Sequence, residues 1–256
     1  MSGMKPFNWQ QVERIFLASR PETCPYLPGQ REQKLVTLIQ PGDIKGFAHL
    51  SEQGFRRSHD AAYQPACPTC QACQSLRVRA KDFKPNKTQR RLKNRYQNLN
   101  LSAEDLSLSA ENQTLDGEHW PLFHAYVKGR HGQGSMADMG RQDFAAMVRD
   151  SPIQTKLLSW RDGQDGPLVA ACLTDILPDG LSAVYSYFSL APTMPSLGTY
   201  VILALLDLAC RADLDFVHLG FWVAGSKTMD YKARFGPAEV YAKGRWQALP
   251  KSDAKP

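Results

Sequence analysis

Apolar and polar positions are patterned most clearly in the carboxyl-terminal half of the chain. Three runs there, Thr155 to Trp160, Leu168 to Leu177 and Ala183 to Leu190, have the length and residue content of strands. Asp179-Gly180 between the last two is a hairpin-turn pair. An antiparallel sheet follows from these runs. Residues Tyr200 to Ala212 are apolar nearly all round over the length of a helix, which predicts a helix buried against that sheet, and Phe216 to Val223 reads as a further strand. Upstream, Trp120, Leu122, Phe123, Tyr126 and Val127 repeat at helical spacing, and Phe144, Met147 and Val148 mark a second helix.

The amino-terminal part is patterned differently. Short apolar runs such as Lys34 to Gln40 and Phe47 to Leu50 lie among Pro, Gly and Cys, which predicts small strands between loops and a thin core. Thr88 to Leu99 lacks Pro and Gly and reads as a helix with charges on most faces, whereas Leu101 to Gly117 mixes strand and connector. The expected division is a cysteine-containing domain over residues 1–100, an acyltransferase-like domain over 101–250 and a fraying tail over 251–256. The fold class expected is α/β: hairpins, then a buried helix and a strand, the order of the GNAT acyltransferase plan.

Length and composition agree with two packed units. The chain has 256 residues, 43% of them hydrophobic, enough to offset the ordering of most of it. No apolar run is long enough to cross a bilayer and the start lacks a secretion signal, so a cytoplasmic protein with reduced cysteines is expected, and no membrane or DNA partner.

Charge adds a location. Lys and Arg number 31 against 25 Asp and Glu, and between Arg77 and Arg95 nine cations face only Asp82. Arg90, Arg91, Lys93 and Arg95 are therefore candidates to follow RNA phosphates, although the same run also fits a solvated helix face.

Chemistry enters with cysteine spacing. Cys67, Cys70 and Cys73 stand in one short loop, and Cys24 in Thr23-Cys-Pro-Tyr26 makes a possible fourth ligand. Two intervening residues let neighbouring thiolates turn to one centre, so the set fits zinc or an iron-sulfur cluster. Cys172 and Cys210, single residues in apolar runs, read as small core side chains.

Gly54-Phe-Arg-Arg-Ser58, the Tyr63 to Cys73 segment, Arg130-His131, Tyr185-Ser-Tyr-Phe188, Ser196-Leu-Gly198, Met229-Asp-Tyr-Lys232 and Phe235-Gly-Pro237, in that order, resemble the arginyl/leucyl-tRNA-protein transferase family. The pattern is most similar to its bacterial aspartate/glutamate leucyltransferase branch. The resemblance implies transfer of an aminoacyl group, Leu in that branch, from charged tRNA to the N-terminal amine of a protein beginning with Asp or Glu. That product would be marked for degradation by its new N-terminal residue. Arginyl transfer is the alternative within the family, and a metal-stabilised RNA-binding module is the alternative without catalysis.

An aminoacyl ester is already activated, so the chemistry needs a neutral amine held against the carbonyl and a stabilised oxyanion, with no required cofactor. Asp175, which interrupts an apolar strand, and Tyr187 on the strand beside it are the candidates to accept the amine's proton, with His131 a further possibility. An acidic acceptor side chain needs a cation, and Arg56, Arg57, Arg130, Lys227 and Lys232 are the candidates. Coenzyme A is disfavoured as donor: the turn before the Tyr200 helix, Ala191 to Thr199, contains two prolines without amide donors and one glycine.

Overall fold

The structure, a computed structural model, describes residues 14–106, 115–131, 138–226 and 228–249. Lys227, the side chain of His131 and the tail 251–256 lie outside the described residues. The amino-terminal region carries β1 (Leu17–Ala18), β2 (Glu22–Thr23), β3 (Arg31–Glu32), β4 (Lys34–Leu38), α1 (Ile44–Glu52), β5 (Arg56–Ser58) and β6 (Ala61–Pro65). There follow β7 (Gln74–Arg79), α2 (Lys87–Arg95), β8 (Leu99–Asp105), α3 (Trp120–His131) and α4 (Arg141–Arg149). The rest comprises β9 (Thr155–Asp162), β10 (Leu168–Leu177), β11 (Gly180–Phe188), α5 (Leu197–Arg211), β12 (Phe216–Trp222), a 3-10 turn at Asp230–Arg234, β13 (Ala238–Ala242) and β14 (Arg245–Ala248).

Among the described residues the strands form an eight-stranded sheet in the order β14-β13-β7-β12-β11-β10-β9-β8, a four-stranded sheet β1-β4-β6-β5 and the pair β2-β3. The expected α/β class and hairpin–helix–strand order are those found. β7 and α2, both before residue 100, belong to the large sheet and its helical cover.

Alternation along the central strands builds two core layers. Leu158, Trp160, Ala170 and Cys172 face α5 and α2, packing with Val201, Leu205, Leu206 and Val217. Leu157, Ala171, Leu173 and Tyr187 point the opposite way, into Phe123 and Val127 of α3 and Phe144 and Val148 of α4. The small sheet and α1 close on that second face at the β10 end, where Phe47, Leu50, Phe55 and Ala62 meet Ile153 and Leu177.

The Phe47 to Leu50 run is helical rather than a strand. Ile44, Phe47 and Leu50 fall three residues apart on one helix face, and the Asp43 carboxylate accepts the Gly46 N–H at 2.8 Å to cap the start. α2 begins on a full capping box between Asn86 and Gln89.

The feature that creates a site is the pairing of β11 with β12. These strands run parallel, but their ladder covers only Gly180↔Phe216 to Ser182↔His218, while β11 continues to Phe188 and β12 to Trp222. A side chain at Gly180 would collide with the Phe216 carbonyl, so the base of the pair is as close as backbone allows. Beyond His218 the ladder to β7 slips, with Gly220 at φ +76°, a bulge that turns β12 away. The carboxyl-terminal halves of β11 and β12 thus part, and the 3-10 turn lies at the β12 side of the opening.

Candidate active site

Arg56 sits at the base of this splay. It is 5% exposed, its Nη2 donates to the Leu76 carbonyl at 3.3 Å, and Nε and Nη1 have no partner among the described residues. Burial pulls its pKa down to about 10. Lys232, on the 3-10 turn and 9% exposed, donates from Nζ to the Phe221 carbonyl at 2.6 Å and lies 3.3 Å from the Met229 sulfur. Burial, and then the Arg56 charge, bring its pKa down to about 8. Tyr63 completes this corner: it pairs with Arg56 across β5 and β6 and packs edge-on against Phe221 at 5.6 Å. Two buried cations without a bound carboxylate make a site that favours an anion, because a lone buried charge is expensive.

A second group lines the α3 side. Tyr185 on β11 has a buried hydroxyl with no partner among the described residues. Its phenol is held above its ordinary pKa by burial and then by Tyr126. Tyr126 lies near Arg130 and Tyr231, both exposed, Tyr231 by 37%. Trp222 Nε1, on the opposing strand, is a third buried donor without a partner.

The other expected residues fall as follows. Arg57 is as buried as Arg56 but satisfied throughout: Nε and Nη2 donate to the two Asp175 oxygens at 2.8 and 2.7 Å, and Nη1 to the His59 carbonyl at 2.7 Å. Asp175 also accepts from Thr155 Oγ1 at 2.7 Å. Asp175 and Arg57 therefore do not face the cleft as expected; they form a closed ion pair joining the two sheets. Tyr187 is likewise fully buried, its hydroxyl 2.8 Å from His119 Nδ1 inside the α3/α4 layer, rather than on an open sheet surface.

On α2, Arg90 turns back to the Pro85 carbonyl at 2.6 Å and Lys93 pairs with Asp207 at 2.6 Å. Arg91 and Arg95, one helical turn apart, face a separate cavity. The basic run is thus split between two directions.

The four cysteines of the candidate metal set are close together in a partly buried corner. Burial, then Cys24, Cys67 and Cys70, push the Cys73 thiol up to about 11. Cys67 Sγ is 3.5 Å from the Gln33 N–H. The donor chemistry suits a soft metal, but among the described residues no three His, Cys, Asp or Glu side chains are set to hold an ion. Cys172 is a buried core residue as read from the sequence, whereas Cys210 is exposed on α5.

Sequence reasoning missed Tyr185 and Trp222 as site residues and Arg234 as a cavity residue. A signal existed for Tyr185, which stands in the aromatic strand motif already noted; Arg234 offered none beyond its place two residues after Lys232.

A mixed sheet with a splayed parallel pair, a crossover helix and unpartnered donors in the opening defines an α/β protein with a polar cleft between two parted strands. Residues 22–91 match the model for the arginine-tRNA-protein transferase N terminus and residues 118–242 that for its C terminus. The chain belongs to the arginine-tRNA-protein transferase family. Its relatives include proteins named aspartate/glutamate leucyltransferase from Rhodospirillum rubrum, 46% identical over 92% of this chain and 93% of that protein, and from Granulibacter bethesdensis, 42% identical over 99% and 91%. Another from Jannaschia sp. is 44% identical over 91% and 80%. Among solved structures, the L-PGS from Bacillus licheniformis is similar at 11% identity and a TM-score of 0.45, over 75% of this chain and 55% of that one, too remote to bear on the site.

Proposed function

We propose that the chain transfers Leu from leucyl-tRNA to the N-terminal amine of proteins beginning with Asp or Glu. The observation that carries the reading is the buried, half-partnered Arg56 beside Lys232 at the base of the splay. Such a pair is costly unless an anion occupies it, and an acidic first side chain is such an anion. The relatives' names, read together with this corner, favour Leu as donor and Asp or Glu as acceptor.

In this reading Arg56 and Lys232 hold the acceptor carboxylate, so that the adjacent amine is presented to the ester carbonyl in the splay. The amine nitrogen forms the new bond to the carbonyl carbon, the bond to the ribose oxygen breaks, and one amine proton ends on that oxygen. Tyr185 and Trp222 offer donors in the opening for the charge that develops on the carbonyl oxygen. Arg130 is kept as a rim cation. The proposed cellular setting is the cytoplasm, and among the described residues no helix is long and apolar enough to cross a membrane. We further propose zinc or an iron-sulfur cluster at Cys24, Cys67, Cys70 and Cys73, as a support for the amino-terminal region; the transfer chemistry needs neither.

The test is turnover with leucyl-tRNA and arginyl-tRNA against peptides beginning with Asp, Glu or Ala. Leu should be joined to the Asp and Glu peptides only. Equal labelling of the Ala peptide, or preference for arginyl-tRNA, overturns the specificity; no turnover at all leaves an RNA-binding module.

A further inference from the structure

A cavity of about 490 Å³ lies between α2 and the start of α5, walled by Arg91 and Arg95 on one side, Ser196 and Thr199 on another, and Tyr231 and Arg234 on a third. No residue of its lining is acidic, and none of its three arginines is paired with a carboxylate among the described residues. Lys93 on the same helix is neutralised by Asp207, and Lys81 by Asp213 and Asp215. Lys84, Lys87 and Arg90 also lack a carboxylate partner among the described residues, so what marks the cavity is three guanidinium groups meeting in one concavity whose lining holds no acid, an arrangement that favours an external anion.

The shape of the cavity selects among anions. Arg91 and Arg95 are one helical turn apart, about 5–6 Å, a spacing of the order of that between successive phosphates of a single strand. Arg234 faces them from the turn that also carries Lys232. α5 opens on the cavity without a side-chain cap on its first turn, its Ser196 being in the left-handed region at φ 64°. Tyr231, exposed on the cavity wall, gives a ring on which a base can stack. A second cavity of about 280 Å³ shares Arg95 and continues past Tyr96 and Met194 to Asn98. Asp162 lines that second cavity, so the acid-free stretch is the first one, whose Tyr231 and Arg234 stand on the same turn as Lys232. In an A-form duplex the bases are paired and stacked on one another, leaving none for the Tyr231 ring, whereas a single strand can offer one.

We infer that this groove seats the unpaired 3′ end of an RNA, its terminal phosphodiesters held by Arg91, Arg95 and Arg234 and a base stacked on Tyr231. The inference rests on the proposed function, since a donor charged at its 3′ end would then present its ester to the splay next to Tyr231. It also assigns the basic run a different task from the one its length suggests: two of its four cations grip a single strand, and Arg90 and Lys93 do not.

The experiment measures binding, which needs no turnover. The probes are a fluorescent single-stranded RNA ending in CCA and a blunt RNA duplex of acceptor-stem sequence without the overhang, each titrated over a range of salt. The wild-type chain should prefer the single strand. Arg91→Ala, Arg95→Ala and Arg234→Ala should each weaken it several-fold and lower its salt slope by about 0.7, the value for one lost phosphate contact on a single strand. Arg90→Ala and Lys93→Ala should leave that slope unchanged, and Tyr231→Leu should lower affinity without changing it. Equal binding of the blunt duplex, or an unchanged slope in Arg234→Ala, overturns the inference. If single-strand binding follows this pattern while leucyl transfer fails, the groove assignment stands and the activity reading falls.

Discussion

Arg56 and Arg57 are consecutive on one short strand, equally buried, and opposite in circumstance. Arg57 meets a carboxylate with both arms of its fork and a carbonyl with its remaining nitrogen. Arg56 meets one carbonyl and leaves two nitrogens with no partner among the described residues. Both side chains lost their hydration on folding, so the difference lies in what replaced it. A buried charge compensated from within the chain is part of the joint between the two sheets. One compensated only in part lowers the stability of the empty protein and becomes favourable when a ligand supplies the missing charge. The two neighbours therefore separate a structural region from a binding region more sharply than burial or charge does alone.

Breaking the structural half should have the largest effect. Asp175→Asn keeps the shape of the side chain but leaves the Arg57 guanidinium without its counter-charge, at a cost of about 3–5 kcal/mol. Urea unfolding should show the loss, while the acceptor and donor KM of the molecules that remain folded should stay near wild type. A collapse of kcat in folded Asp175→Asn protein, with stability intact, would reverse the assignment and restore Asp175 as a proton acceptor.

Breaking the binding half should do the opposite. Arg56→Met removes an uncompensated charge, so stability should hold or rise. The specificity for acidic acceptors should fall by about 2–3 kcal/mol, on the order of 10²-fold in the ratio of kcat/KM for an Asp peptide to that for its Ala counterpart. The KM for charged tRNA should not move. A destabilised Arg56→Met protein with unchanged specificity would place Arg56 in the same structural class as Arg57.

This contrast explains what could and could not be read from the chain. The strands β9 to β12 and helix α5 were legible because each carries its own periodicity, and Leu168 to Leu177 matches the observed strand at both ends. β7 was obscured: Leu76 and Val78 alternate with Arg77 and Arg79 as a strand should, but the arginines read as the beginning of a basic run. In the fold Arg77 is stacked between the rings of Phe216 and Trp246, at 3.6 and 4.2 Å, and paired with Glu239, all distant in sequence. The site was legible as a set of cations but not as a ranking of them. Arg57 is taken out of the set by a carboxylate 118 residues away, a partnership that composition and spacing do not encode. Lys232 stays in it because it folds back under β12 to a backbone carbonyl.

The second cation of the corner sharpens the comparison through pH. Lys232 gives up its proton near pH 8 in the folded chain and near 10.5 in the unfolded one. Below pH 8 the native state therefore bears the full cost of the buried charge. Between pH 8 and 10.5 the unfolded state binds more protons, so wild-type stability gains from this residue as pH rises. Lys232→Met should be more stable relative to wild type at pH 7 than at pH 10.5, by up to about 3 kcal/mol for a shift of this size, while the lost donor to the Phe221 carbonyl lowers the mutant at both pH values and drops out of the difference. A pH-independent difference in melting temperature would mean that Lys232 is compensated as Arg57 is.

The smallest expected effect repeats the comparison on β11, where Tyr185 and Tyr187 point to the same side. Tyr187 has a partner: removing its hydroxyl leaves His119 Nδ1 buried with one bond fewer, against a ring whose pKa burial already holds down to about 4. Tyr187→Phe should accordingly cost about 1 kcal/mol, the penalty for a buried polar atom left unpaired, and leave kcat close to wild type. Tyr185 has no partner among the described residues, so its hydroxyl is desolvated without return in the empty protein. Tyr185→Phe should be neutral or stabilising by a few tenths of a kcal/mol, and any functional role of the hydroxyl should appear in kcat with the KM values unchanged. The pair of melting curves and the pair of kcat values would thus move in opposite directions for two substitutions of identical chemistry two residues apart. If Tyr185→Phe instead unfolds at lower temperature than Tyr187→Phe, with kcat intact, the opening between β11 and β12 is part of the core and the reacting groups lie elsewhere.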